Sequence, residues 1–271
     1  MTTFLIAYLA LTLNAEAAER GEALFRDVEQ LSRTNQKAEA LAKAEEGVRE
    51  LDRAFAENKK IGRYGMDGLR LAARLAREDF LNHEKSLFFC GKMAEYADGD
   101  YWRVPARLET ALTYRAMGDF ERAQQQYDAI AAAGERYAPS SLLPQAEMVF
   151  FEMHDLQRGR NLLDRALMNE AVNGRERFHS LRNCAQRALA RGQRDEALQW
   201  YAMLEKLPFG QAEERDRYLS QAWYEMGKIE ESRGRANQAK SYYRQAMERE
   251  GGEMRFRVRA REALESIQYF E

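Results

Sequence analysis

The stretch Trp223-Tyr224-Glu225-Met226-Gly227-Lys228-Ile229-Glu230, followed by Gly234, Ala239, Tyr243 and Ala246, decides the fold. Apolar and small residues recur every three or four positions on both sides of Gly234, so one stripe of each helix is marked for burial. Gly234 stands where that periodicity breaks, and glycine tolerates the positive φ that a tight helix-to-helix turn requires. Ala239 lets a second helix approach the first closely. Tyr243, one turn on, fills the space beside that contact. The stretch predicts two antiparallel helices joined by a short turn.

The arrangement repeats outward along the chain. A second copy runs through Ala111, Tyr114, Gly118-Asp119-Phe120, Ala123, Tyr127 and Ile130. A third has Cys184-Ala185, Ala188, Gly192, Ala197, Tyr201 and Leu204, closed by Pro208. A weaker one between them has Phe150, His154-Asp155-Leu156, Gly159, Leu163 and Ala166. Asp119 and Asp155 stand just before second helices, where a carboxylate can accept from the free N–H groups of the first turn. Pro105 is placed before a first helix, Pro139 and Pro208 after second helices, and Pro144 within the first turn of its own. Glu22–Phe55 and Leu69–Tyr96 read as two further, degenerate pairs, with turns near Thr34-Asn35 and Asn82.

Together these residues resemble the tetratricopeptide repeat, whose pattern is a Trp, a Leu-Gly pair and a Tyr, then an Ala, an aromatic and a second Ala. Trp223 and Met226-Gly227 match the first helix of that pattern, and Ala239, Tyr243 and Ala246 the second; Glu230 stands where the Tyr is expected. The aligned small residues Ala123, Gly159, Ala197 and Ala239 are 36, 38 and 42 apart. The family repeat is about 34 residues, so longer turns are expected here. The resemblance covers residues 105–250. It implies an all-α, right-handed superhelical solenoid of antiparallel helix pairs, with degenerate pairs over 18–104 and a capping helix over 251–271. That cap is marked by Phe256, Ala260, Ala263, Leu264, Ile267 and Phe270 at helical spacing. The resemblance further implies a non-catalytic scaffold that binds a protein or peptide, without cofactor or metal.

Composition agrees with helix throughout. Pro is found at only 4 of 271 positions, and no run of alternating β-branched residues is present; Tyr101-Trp102-Arg103-Val104 comes nearest to a strand. The 42 basic and 44 acidic side chains are interspersed, net −2, which provides no electrostatic footprint for nucleic acid or an anionic membrane. Residues 1–17 differ. The uncharged run Phe4–Leu13 is followed by Asn14-Ala15-Glu16-Ala17, the order of a secretory signal peptide, though Met1-Thr2-Thr3 lacks a positive charge. About 15 Å of apolar helix is too short to span a bilayer. An exported, envelope-associated scaffold that organises a complex is expected on this reading. A buried first helix would instead make the chain a cytoplasmic adaptor or peptide-sensing regulator.

No pattern with catalytic meaning emerges. His83, His154 and His179 are scattered, without partners at ligand spacing. Gly62-Arg63-Tyr64-Gly65-Met66-Asp67-Gly68 lacks the Lys-Ser/Thr ending of a phosphate loop and reads as a flexible linker. Asp98-Gly99-Asp100 reads as a turn. Glu213-Glu214 and Glu230-Glu231 are adjacent pairs that diverge around a helix and belong to a solvated face. Arg255, Arg257, Arg259 and Arg261 spread around theirs. Cys90 and Cys184 fall in different repeats as small core residues. For a protein or peptide partner, the resemblance points to the concave face of the solenoid, lined by outward positions of first helices: Leu112 and Arg115, Met148, Arg182 and Gln186, Tyr224 and Lys228. Arg182, Gln186 and Lys228 would meet a peptide carboxylate with Tyr224 beside them, although the Lys/Asn/Arg set of chaperone-binding members is not reproduced.

Overall fold

The computed structural model describes residues 2–56, 60–134 and 136–269, and for residues 2–16, 268 and 269 the backbone alone. The described residues form thirteen α-helices and no strand. Six hairpins follow one another: α1 (Thr2–Arg33) with α2 (Lys37–Phe55), α3 (Arg63–Glu78) with α4 (His83–Tyr96), and α5 (Asp100–Ala116) with α6 (Phe120–Ala132). Then come α7 (Pro139–Phe151) and α8 (Leu156–Met168), α9 (Gly174–Ala190) and α10 (Arg194–Ala202), and α11 (Ala212–Ser232) and α12 (Ala236–Glu248). A single 3-10 turn, Met203–Lys206, extends α10, and α13 (Met254–Tyr269) closes the chain.

One backbone device makes the turn inside each of the six hairpins. A residue in the left-handed region precedes the residue that caps the second helix: Asn35, Leu81, Gly118, His154, Gly192 and Gly234, with φ of 63, 52, 78, 57, 76 and 73°. The N–H of the following residue then bonds back across the turn, satisfying a carbonyl that the ended helix leaves open. It reaches five residues back in four turns, as in Arg235 to Glu230 at 3.0 Å. It reaches six back in the other two, Asn82 to Ala76 at 2.8 Å and Asp155 to Val149 at 3.2 Å. Asp119 and Asp155 cap as expected, accepting from Arg122 N and Arg158 N at 3.1 Å. Asn82 does the same for Lys85 N at 2.9 Å.

Counting from the capping residue, every second helix buries the same three positions. The first column is Ala40, Ser86, Ala123, Gly159, Ala197 and Ala239; the second is Ala44, Cys90, Tyr127, Leu163, Tyr201 and Tyr243. The third is Gly47, Met93, Ile130, Ala166, Leu204 and Ala246. Small residues in the first column set the hairpin spacing, and from α6 onward bulk in the second, Tyr127, Leu163, Tyr201 and Tyr243, fills it. Cys90 therefore occupies an aromatic's place, and burial pushes its thiol up to about 12, so it stays protonated.

The chain divides into two compact units, residues 1–148 and 149–271. In the first, α3 packs on α1 and α2, and α5 packs on α3 and α4, so the hairpins stack. The core runs through Phe25, Val48, Leu51, Met66, Leu69, Phe89 and Met93. A buried ion pair crosses it: Arg77 Nη1 donates to Glu109 Oε2 at 2.9 Å, each residue no more than 6% exposed. In the second unit, α11 packs on α9 and α10, and α13 covers α11 and α12 through Phe256, Ala260 and Leu264. Phe270, expected in that cap, lies outside the described residues. Among the described residues no helix is long and apolar enough to cross a membrane.

Several local expectations are corrected. Pro105 lies inside α5 rather than before it, in one helix with Tyr101–Val104, which is helical as the rest of the chain is expected to be; Pro144 is the sixth residue of α7 rather than part of its first turn. Pro105 deprives the carbonyl of Tyr101 of its donor, but Tyr101 is exposed and that carbonyl can be solvated. Gly62–Gly68 is no linker: Gly65 and Gly68 are buried within α3, and a Cβ on Gly68 would come within 2.2 Å of Phe25. Those glycines let α3 lie against α1. Glu230 is not solvated but 4% exposed, held by Arg233 at 3.3 Å and Arg235 at 3.4 Å. The helix α1 runs unbroken from Thr2 to Arg33. The side chains on which the export reading depends, those of residues 1–16, lie outside the described ones.

Candidate functional site

The partner-binding residues expected from sequence separate into three groups. Met148 is fully buried and presents nothing to a partner. Its misplacement has a definite cause. Counting back from the turn residue sets Met148 opposite Lys228, but the α7/α8 turn holds one residue more than the α11/α12 turn. That shift of one position places Met148 opposite Ile229, which is likewise buried. Arg115 is also committed: Nη1 donates to the Pro144 carbonyl at 3.2 Å and lies 3.7 Å from Glu147. It ties α5 to α7. Leu112 is half-buried.

Tyr224 and Lys228 form the second group. Tyr224 packs between Tyr243 and Phe256, with ring centroids 5.9 and 5.7 Å away, and so joins α11 to α12 and α13. Lys228 is exposed but paired with Glu225 at 2.6 Å and lies 5.2 Å over the Tyr224 ring. Neither side chain is idle.

Arg182 and Gln186, the third group, lie on a continuous face of α9. Arg175, His179, Arg182 and Gln186 follow one another at helical spacing, and Arg175 Nε donates to His179 Nε2 at 3.4 Å. Burial together with Arg182 and Arg175 pushes the His179 imidazole below its ordinary range, so at neutral pH it carries no charge. Arg182 lies 5.9 Å from the Phe178 ring, which stacks on Tyr218 of α11 at 4.5 Å. Arg182 makes no ion pair among the described residues, and its Nε is buried without a hydrogen-bond partner. Glu225 acts on the Tyr201 hydroxyl from the α11 side and Arg182 from the α9 side.

A second surface was not legible in the sequence. Between α1 and α3 the first unit holds a cavity of about 600 Å³, lined by Phe25, Glu29, Arg33, Tyr64, Asp67 and Arg74 among others. A depression of about 290 Å³ against Arg70 and Glu109 shares Asp67, Leu71 and Arg74 with it, so one groove runs from α1 past α3 to α5. Its signal was the spacing of Arg63, Asp67, Arg70 and Arg74 along one helix face, hidden by taking the surrounding glycines as a linker. No group of three or more His, Cys, Asp or Glu among the described residues is placed to hold a metal ion.

Hairpins built on one turn device, stacked within each unit and without a converging set of catalytic groups among the described residues, define a helical-repeat protein. The family is found in the stretch first quoted: the tetratricopeptide repeat model matches residues 220–251, the latter half of α11 with α12 and the turn after it. The chain carries a tetratricopeptide repeat there, and repeats of that family in general bind protein partners. A search of curated proteins found no match to the chain.

Proposed function

We propose that the chain is a non-catalytic scaffold of the cell envelope, exported and then holding a protein partner on the outward faces of its first helices. The observation that carries this reading is the α9 face. There Arg182 holds a guanidinium with no carboxylate, beside Arg175 and the exposed Gln186. A fixed cation with unused donors suits a carboxylate or a row of backbone carbonyls on a bound segment. The repeat at residues 220–251 supports a protein as the ligand class.

The test is affinity capture with the full chain and with a variant carrying both Arg182→Ala and Arg175→Ala, the circular dichroism of the two being compared first. Loss of specific partners from the variant is the expected result. The same partners retained at the same yield would remove α9 from the binding surface. Sequencing the N-terminus of protein purified from its own cells checks the export reading: a start at Ala18 supports it. An intact Met1 would replace it with a cytoplasmic adaptor built on the same surface.

A further inference from the structure

We infer that the groove across α1, α3 and α5 receives an extended acidic segment of a partner, whose two carboxylate side chains stand four residues apart, on one face of that segment. The inference rests on the scaffold reading but concerns a different unit from the α9 face. Seven charged groups line the groove, and an eighth, Arg26, lies beside it over the ring of Tyr64. Three are carboxylates and all are engaged: Glu29 with Arg33 at 2.6 Å, Asp67 with Arg63 at 3.2 Å, and Glu109 with Arg70 at 3.0 Å as well as Arg77. Two arginines remain without an ion pair among the described residues. Arg26 lies over the Tyr64 ring at 4.5 Å, and Arg74 lines both the cavity and the depression beside it. The chain as a whole is net −2, so this local excess of positive charge runs against the average.

Geometry sets the spacing. Tyr64, which positions Arg26, and Arg74 are ten residues apart on α3, roughly 15 Å at 1.5 Å per residue. An extended chain covers that distance in four to five residues at about 3.3 Å each. Between the two cations the wall offers Leu71, Phe25 and the backbone of Gly68 as apolar surface, interrupted by Asp67, whose charge Arg63 offsets at 3.2 Å. Apolar side chains between the two acidic ones would therefore be buried there. Arg74 and Tyr64 are both exposed, so ligand has access to the cation and to the aromatic face.

The experiment uses the full chain and a fluorescein-labelled nonapeptide with two Glu four residues apart and a Leu midway, all three on one face of an extended chain, read by fluorescence anisotropy. The expected result is saturable binding that weakens about tenfold with Arg74→Glu, and by a similar factor when the peptide's Glu are replaced by Gln. Arg74 is exposed and its substitution leaves the core intact; matching thermal melts would confirm this. Absence of binding to the unaltered chain, or equal binding by the Arg74→Glu variant or by the Gln peptide, would overturn the proposal. So would tighter binding of a single-stranded oligonucleotide of matching charge. A dimer in light scattering that dissociates with Arg74→Glu would overturn it too, by showing a second copy in the groove. Any of these results leaves the α9 test standing, because Arg182 and Arg74 lie in separate units.

Discussion

At the scale of single residues, the groups that matter most are charges placed where the sequence pattern predicts bulk or solvent. Glu109 and Arg77 are buried together, and a pair of this kind adds little when complete but costs heavily when broken. Glu109→Ala should therefore destabilise the first unit by about 3–5 kcal/mol, measured as a shift of the urea midpoint at unchanged slope. A loss under ~1 kcal/mol would mean that Arg77 finds another partner. Glu230 follows the same logic. It replaces the expected Tyr of the repeat, and its two arginines, Arg233 and Arg235, lie on either side of the turn residue Gly234. The departure from the family pattern is compensated locally, which the sequence displays but does not explain.

At the scale of elements, six turns share one geometry on six different sequences. Glycine occupies the left-handed position in three, where Gly118, Gly192 and Gly234 marked the turns in advance. Asn35 is a tolerated substitute, but Leu81 and His154 hold positive φ at a cost of about 1–2 kcal/mol each. Leu81 is 72% exposed, so it loses no packing if shortened. Leu81→Gly should then raise stability by roughly 0.5–1 kcal/mol, the relief of strain exceeding the added freedom of the unfolded chain. A thermal melt that moves down instead would show that Leu81 is held by contacts at its turn. The extra residue in the α3/α4 and α7/α8 turns is also an element-scale fact. It shifts the first helix by one position and turns an outward Met148 inward.

At the scale of the whole molecule, each hairpin buries its flanks only against its neighbours, so the last one in a unit needs a cover. In the second unit that cover is α13, whose Phe256 meets Tyr224 and whose Arg257 Nε donates to the Met247 carbonyl at 3.0 Å. A chain ending at Glu250 should melt at a lower temperature and bind more 8-anilinonaphthalene-1-sulfonate, because Tyr224 and its neighbours lose that shield. An unaltered melt would show that α12 alone closes the stack. Of this architecture the sequence by itself determined the helical class, the hairpin at 220–251 and the turns that carry glycine, because burial periodicity and positive φ are local properties written in residue type. It also marked the turns near Asn35 and Asn82. Only the tertiary structure decided that Gly65 and Gly68 serve close packing rather than a linker, that Met148 faces inward, and that Arg74 stands unpaired in a groove. Each of those depends on which residue of a distant helix lies opposite, and a single added turn residue rotates a helix by about 100° without disturbing its periodicity.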